Sequence, residues 1–423
     1  MAEENSNNII KSTWKSKYAA LGPGILMASA AVGGSHLIAS TQAGAIYGWQ
    51  LAIIVILANL FKYPFFRFGV QYTLDSGNSL LDGYKQKGQI YLWVFFVLSV
   101  FATIINIAAV GLVCAAILSF VLPSSVPISI LSFIVISLSA LILLMGKYRL
   151  LDGLSKIIMI TLTITTVIAV VIAFTRNGVS GAVTDGFISP SPWNLAGLGF
   201  IVALMGWMPA PIEFSAITSM WSVAKNRLKK VTYEDGIFDF NVGYIGTGLL
   251  ALVFLALGAL VQFGSGTAVE MAGVKYIGQL INMYSSTIGE WAKGLITFIA
   301  FMCMFGTTIT ALDGYSRINV ESLRLLMNKK ESSPKTLNLA ILAASCAGLA
   351  IVFYFKSAVG PMLKFAMIAS FVSTPIFAAL NLSLVLKGKH KVKGPLLWLS
   401  FIGLVYLSGF ALLFIANQMG WLS

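Results

Sequence analysis

Residues 27–40 read MASAAVGGSHLIAS, and residues 201–214 read IVALMGWMPAPIEF. Each is a hydrophobic run with an interruption inside it, Gly33-Gly34-Ser35-His36 in the first and Met208-Pro209-Ala210-Pro211 in the second. A membrane helix satisfies its own backbone hydrogen bonds, because lipid offers none. Two interrupted helices therefore require a cavity lined by protein or water, and such paired interruptions are typical of a transporter's substrate site.

The composition places the rest of the chain in a membrane. Of the 423 residues, 58% are hydrophobic and 10% are charged, which excludes a soluble globular or a disordered protein. A membrane-crossing helix needs about 20 apolar residues. On that basis we predict eleven spans, at about 18–46, 49–71, 91–121, 126–145, 154–174, 194–224, 238–263, 287–312, 337–355, 361–386 and 394–418.

The basic residues predict the orientation. If the N-terminus is cytoplasmic, 23 of the 28 Lys and Arg residues, Lys62 among them, fall on the cytoplasmic side. This bias follows the positive-inside rule. We therefore expect a multi-pass protein of the plasma membrane with a cytoplasmic N-terminus and an extracytoplasmic C-terminus. The net charge of +13 then needs no nucleic-acid partner, since attraction to anionic lipid headgroups accounts for it.

The two interruptions also suggest an internal repeat. Each lies in the first span of a five-span unit, and because five is odd the second unit enters the membrane from the opposite side. The expected organisation is a cytoplasmic tail at 1–17, a first repeat at 18–174, an inverted second repeat at 194–386 and a final span at 394–418. A short amphipathic helix is expected at Leu80 to Lys87 after the turn residues 76–79.

The first interruption offers a flexible backbone and two polar side chains. Gly33 and Gly34 unwind easily and let a ligand approach the backbone, Ser35 suits the N-cap of the following half-helix, and His36 is protonatable. The alternative for the glycines is close helix packing, as small residues allow in membranes. We expect these four residues to form one wall of a substrate site.

The second interruption forms the other wall. Pro209 and Pro211 each remove a backbone donor, and they alternate with Met208 and Ala210. Glu213 follows at the start of the next half-helix. A carboxylate there either complements the helix dipole or serves as a proton or cation site, and the sequence leaves both open.

Few other polar residues lie at depth. Among 15 Asp and Glu residues only Glu213 and Asp313 fall well inside spans, and Asp313 has Arg317 at i,i+4, which favours a structural ion pair. Together with His36 and Asn106 they are the candidates for proton or ion coupling. Enzyme motifs such as GxSxG and HExxH are missing. We therefore expect neither catalysis nor a cofactor.

Several segments resemble one family of transporters. Residues 21–26 (LGPGIL), 73–80 (TLDSGNSL) and 106–110 (NIAAV), with Met208-Pro209, are similar to the Nramp family of proton-coupled metal ion transporters. The resemblance implies an all-α membrane protein with a LeuT-type 5+5 inverted repeat of eleven transmembrane helices, of which helices 1 and 6 are broken. It also implies an ion as substrate, with H⁺ as coupling ion.

The departures from that family fall on its metal-binding motif. By the resemblance, Gly33 to His36 stand where the family has Asp-Pro-Gly-Asn, Ala210 replaces its histidine, and Asn106 and Ala109 replace its span 3 acids. Met208 keeps a metal-binding identity, and a thioether suits soft transition metals. His36 and Met208 are thus the candidate metal ligands.

Three hypotheses follow. The first is a transporter of a divalent metal ion that works by alternating access, with substrate bound between the two interruptions. The second keeps the fold but moves a small organic solute or anion of amino-acid or carboxylate type, since the acid that would repel an anion is gone. The third is a membrane sensor or scaffold.

Overall fold

The computed structural model describes residues 12–122, 126–146, 148–271, 273–355 and 358–422, without the side chains of 148–152 and 154–156. Residues 1–11 of the predicted tail lie outside the described residues. Regular secondary structure in the described part is helical throughout. The helices are α1 Trp14–Ala20, α2 Pro23–Ala31, α3 Thr41–Tyr47, α4 Ala52–Ser76, α5 Leu80–Lys87, α6 Gln89–Leu118, α7 Ile128–Leu144, α8 Tyr148–Asn177, α9 Leu195–Gly206, α10 Phe214–Leu228, α11 Tyr233–Val261, α12 Val274–Ile288, α13 Ala292–Leu326, α14 Pro334–Tyr354, α15 Val359–Val385 and α16 Gly394–Gln418, with a π-helical segment Ser35–Ser40 leading into α3.

The predicted spans correspond to these helices. By length and composition, eight helices in the described residues are able to cross a membrane, and nine if α2 and Ser35–Tyr47, bent by 50°, count as one broken span. Helices α7 and α9 are apolar but shorter. With α7, and with α9 followed by α10 as a second broken span, each of the eleven predicted spans has its counterpart.

The order of the helices is the same in the two halves. A broken span comes first in each, α2 with α3 and later α9 with α10. Four helices that correspond to predicted spans follow each break, namely α4, α6, α7 and α8 in the first half and α11, α13, α14 and α15 in the second. Helices α6 and α13 pack against each other at the centre, where residues 105–117 of α6 and 303–316 of α13 are buried without interruption.

Both halves of the first span pack closely on α11. A Cβ atom added at Gly24 would lie 2.1 Å from the Asp239 carbonyl oxygen, and one at Gly44 would lie 1.9 Å from that of Leu255. One added at Gly258 would lie 2.0 Å from the Thr41 carbonyl oxygen. Only hydrogen fits at these positions, so the backbones approach each other as small residues permit in membrane helix pairs.

The connections show one confirmed prediction and two differences. The short helix α5 is present as predicted, and the side chains of Ser79 and Asp82 cap its start reciprocally. Helix α12 was not predicted; it lies within a segment expected to be a loop, and its Tyr276 hydroxyl donates to Thr41 Oγ1 at 2.7 Å. The first span begins at Pro23 rather than at 18, because Gly22 and Pro23 separate it from α1.

Candidate functional site

The first interruption lets two backbone carbonyls accept hydrogen bonds from outside the regular helix. Helix α2 ends at Ala31, and the Val32 carbonyl accepts from Cys303 Sγ of α13 at 3.1 Å. The Gly33 carbonyl accepts from the N–H groups of His36 and Leu37. The backbone polar groups at this break thus find partners in the turn itself and on α13, as they must in a membrane.

His36 is fully buried, and both of its ring nitrogens have partners in the protein. Nε2 lies 3.0 Å from the Thr247 carbonyl oxygen on α11, and Nδ1 lies 2.8 Å from Ser35 Oγ. A neutral ring with its proton on Nε2 donates to the Thr247 carbonyl. The ring therefore fixes the π-helical segment to α11.

The predicted N-cap role of Ser35 is wrong. The residue is the first of the π-helical segment, and its hydroxyl lies 2.9 Å from the Ala31 carbonyl oxygen, at the end of the preceding helix. The side chain therefore contacts the last carbonyl of α2 and the His36 ring, and it does not cap the N–H groups that follow.

The second interruption spans residues 207–213. Helix α9 ends at Gly206, the Met208–Pro209 peptide bond is cis, and the Trp207 indole donates to Ser370 Oγ of α15 at 3.2 Å. Helix α10 begins at Phe214, which puts Glu213 at its N-cap. The Glu213 carboxylate makes no side-chain cap hydrogen bond and instead accepts from the Tyr315 hydroxyl at 2.9 Å.

Lys62 is buried beside the second interruption, so the prediction that places it on the cytoplasmic side is wrong. It was counted with the cytoplasmic charges, yet it lies within α4 and is fully buried. Its ammonium donates to the carbonyls of Met205, Gly206 and Ala210 at 2.6, 2.9 and 3.3 Å. Lys62 falls inside the predicted span 49–71, where a charged residue is a candidate for a functional position, as Glu213 is.

A small cavity lies between the two interruptions. Measured as the space open to the centre of a water molecule it is about 40 Å³. A Cβ atom on Gly34 would lie 2.9 Å from the Trp207 ring, so the two breaks contact each other at its edge. The cavity is lined by Ala30, Ala31, Gly34, Ser35, Asn106, Val110, Trp207, Pro209, Ala210, Pro211, Phe214, Thr307, Ala311 and Tyr315.

The polar groups of the cavity connect to the buried carboxylate. Asn106 Nδ2 donates to the Tyr315 hydroxyl at 3.0 Å, and that hydroxyl donates to Glu213 Oε1. Glu213 is 1% exposed, and its Oε2 has no hydrogen-bond partner. The chain therefore links the cavity wall to a carboxylate that retains one free acceptor oxygen.

Other expected site residues lie outside this cavity lining. Gly33, His36 and Met208 do not border it. Asp313 also lies outside it and forms an ion pair with Arg317 at 2.7 Å, the geometry that its i,i+4 spacing favours. Within the described residues, no group of three or more His, Cys, Asp or Glu side chains could hold a metal ion. An ion in the cavity would therefore meet neutral oxygen and amide groups.

Comparison with known proteins gives matches over nearly the whole chain. Residues 24–417 match the family model described as natural resistance-associated macrophage protein-like. An uncharacterised protein of Pasteurella multocida (strain Pm70) is 75% identical over 420 residues, which cover 99% of this chain and 97% of that protein.

Two solved transporters have similar folds. A manganese transporter of Eremococcus coleocola, in one of its mutant forms, superposes with a TM-score of 0.71 at 14% identity and covers 99% of this chain and 89% of its own. Mhp1, a transporter of the nucleobase-cation-symport-1 family, superposes with a TM-score of 0.58 at 12% identity and covers 95% of each chain. The fold is thus the LeuT-type arrangement that the sequence predicted.

Proposed function

Because this chain belongs to the natural resistance-associated macrophage protein-like (Nramp) family of multi-pass membrane transporters, we propose that it carries a divalent metal ion across the membrane by alternating access, with H⁺ as coupling ion. The Eremococcus coleocola relative of the same fold is a manganese transporter. The sequence identity to it is low, so the proposal stands on the site of this chain together with the family.

The observation that carries the proposal is the cavity where the two broken spans meet. Gly34 and Ser35 contribute one wall, and Pro209, Ala210 and Pro211 contribute the opposite one. A volume of about 40 Å³ accommodates roughly three water molecules. That space suits an ion with part of its water shell, and it is small for an amino acid, which weighs against the organic-solute hypothesis.

The potential ligand atoms around the cavity favour a hard cation. Ser35, Asn106, Thr307 and Tyr315 offer neutral oxygen or amide groups, and Mg²⁺ and Mn²⁺ accept oxygen ligands while Mg²⁺ keeps several of its waters. The two ligands suggested by the sequence are Met208 and His36. They lie outside the cavity lining and would stabilise the two interruptions rather than bind the ion. We propose that the ion stays partly hydrated.

Proton coupling would use Glu213. Its carboxylate is buried, is connected to the cavity through Tyr315, and has a free oxygen that is able to take a proton. Asn106 would take part as the donor to Tyr315. His36 and Asp313 remain candidates, but each is already engaged by other residues.

The proposal also includes the orientation in the membrane and the limits of the two repeats. We place the protein in the plasma membrane with its N-terminus cytoplasmic and its C-terminus extracytoplasmic. Removing Lys62 from the count leaves 22 of the 28 basic residues on the cytoplasmic side. The repeats would then be 18–174 and 194–386, followed by the span at 394–418.

Uptake into proteoliposomes tests the function. Purified protein is reconstituted around a divalent-sensitive fluorescent dye, and Mn²⁺ or Mg²⁺ is added outside at neutral and at acidic external pH. We expect saturable uptake that an inward proton gradient accelerates, and we expect Glu213→Gln to remove the acceleration. Uptake of labelled amino acids without any uptake of divalent ions would overturn the proposal in favour of the organic solute.

Two neighbouring threonines of α13 provide a matched control. Thr307 lines the cavity, whereas the Thr308 hydroxyl donates to the Met304 carbonyl of its own helix at 2.8 Å. Thr307→Val should raise the KM for the ion several-fold, because a ligand or water anchor is lost, and Thr308→Val should leave it unchanged. Equal effects of the two substitutions would show that this cavity is not the binding site.

A further inference from the structure

Lys62 presents an unusual charge inside the protein. Its side chain is fully buried, and its ammonium contacts the carbonyl oxygens of Met205, Gly206 and Ala210. An ammonium has three N–H donors and no acceptor. Each donor is therefore used on one carbonyl, and the lysine is coordinated by backbone oxygens alone.

Two of the three carbonyls, those of Met205 and Gly206, end helix α9, and the carbonyl of Ala210 lies in the interruption that follows. Helix α9 stops at Gly206, and the last carbonyls of a helix have no partner in a next regular turn. The Met205 carbonyl also accepts from the N–H group of Met208 at 3.3 Å. The C-terminal end of a helix carries a partial negative charge. Freed carbonyls at such an end are the kind of site where transporters with discontinuous helices bind monovalent cations.

A second ionisable side chain lies near the second interruption. Glu213, at the start of α10, lies three residues after Ala210, whose carbonyl oxygen Lys62 contacts. Its carboxylate is held by Tyr315 and not by a hydrogen bond from the lysine. The positive charge on α4 thus compensates both the end of α9 and the carboxylate at the start of α10, the two ends of the second interruption.

We propose that Lys62 is a tethered cation that occupies, at the carbonyl end of α9, the position of a free monovalent ion. The lysine holds the second interruption in shape, so that folding and transport are independent of Na⁺ and K⁺. This inference goes beyond the proposed function, because it concerns an ion that the protein does not move. Removal of the side chain creates a vacant site for a small monovalent cation.

Thermal unfolding of the full-length protein in detergent tests this without any transport substrate. The chloride salts of Na⁺, K⁺, NH₄⁺ and choline are compared at constant ionic strength. The wild-type protein and Lys62→Arg should melt at the same temperature in all four salts. Lys62→Ala should melt lowest in choline and gain several degrees, in a saturable manner, in at least one of the small cations, since a ligand that binds only the folded state stabilises it.

Lys225→Ala is the matched control. The Lys225 ammonium also contacts a carbonyl at a helix end, that of Leu21 at 3.4 Å, but it makes this one backbone contact and is partly exposed. Its removal should cause no cation-specific shift. A cation-specific shift of the same size in Lys225→Ala would mean that the effect is a general response to lost positive charge, and the proposal would fail.

A double variant covers the case in which Lys62→Ala does not accumulate. Lys62→Ala combined with Glu213→Gln removes both buried charges and keeps the three carbonyls, so it should fold and show the same cation-dependent rise. If neither variant distinguishes the small cations from choline, or if the wild type itself requires Na⁺ or K⁺, the inference is wrong. A protein that transports no metal but shows the expected pattern would overturn the proposed function and leave this inference standing.

Discussion

The two interruptions meet the same requirement with different chemistry. At the first, the carbonyls of Ala31 and Val32 accept from the uncharged side chains of Ser35 and Cys303. At the second, a buried lysine coordinates three carbonyls and a buried glutamate follows on the next helix. Two breaks at corresponding places in the halves are therefore not equivalent: one is held by packing and neutral hydrogen bonds, and the other by charge.

The largest effect is expected from removal of the buried lysine at the second interruption. Lys62→Leu removes three hydrogen bonds and leaves the Glu213 carboxylate without its compensating charge. A buried acceptor left without its donor costs about 1–3 kcal/mol, and three carbonyls lose the lysine, so we expect a loss of about 3 kcal/mol or more in the free energy of unfolding in detergent. Chemical unfolding checks it, and adding Glu213→Gln should recover a measurable part of the loss. A double variant as unstable as Lys62→Leu would contradict a coupling between the two charges.

A medium effect is expected from the close packing of the first broken span. In Gly258→Ala the new Cβ atom would lie 2.0 Å from a backbone oxygen of Thr41, so α3 must shift away from α11. Overpacking of this kind costs about 1–3 kcal/mol of unfolding free energy.

Gly246→Ala, on the same helix, is the control for Gly258→Ala, because an added Cβ atom meets nothing there within 4 Å. Its stability should stay the same or rise by up to about 1 kcal/mol through helix propensity. Equal losses in the two variants, measured by the same unfolding assay, would show that the helix and not the contact is responsible.

The smallest effect is expected from removal of the negative charge at the start of the first span. The Asp239 carboxylate accepts hydrogen bonds from the N–H groups of Gly22 and Gly24 at 2.8 and 2.7 Å, where α2 begins. Asp239→Asn keeps an acceptor oxygen but removes the negative charge next to the helix N-terminus, worth about 0.3–1 kcal/mol. A loss as large as that of Lys62→Leu in the same assay would mean that charge matters equally in both broken spans.

Much of the fold was predictable because the membrane fixes the lengths of its helices. The eleven hydrophobic runs gave the spans, and glycines and prolines marked both broken ones. Helix α12 was missed because it is amphipathic and short of a membrane crossing, so neither hydropathy nor charge distinguished it from a loop.

The position of the cavity between the two interruptions was predictable, but the direction of the side chains around it was not. Gly34, Ser35, Asn106, Pro209, Ala210 and Pro211 do line the cavity. His36 points to the Thr247 carbonyl of α11, a contact 211 residues away in sequence, which a local pattern does not reveal. The buried position of Lys62 was also predictable, because a basic residue inside a membrane span is as costly as an acidic one and is expected to face the protein interior.

The glycine contacts of the first span have a consequence for motion. Gly24 and Gly44 lie on opposite sides of the bend, and each is in backbone contact with the single helix α11. The angle between α2 and α3 is therefore tied to the shape of α11, whatever freedom Gly33 and Gly34 have. If the first span swings as the cavity opens, α11 must travel or bend with it.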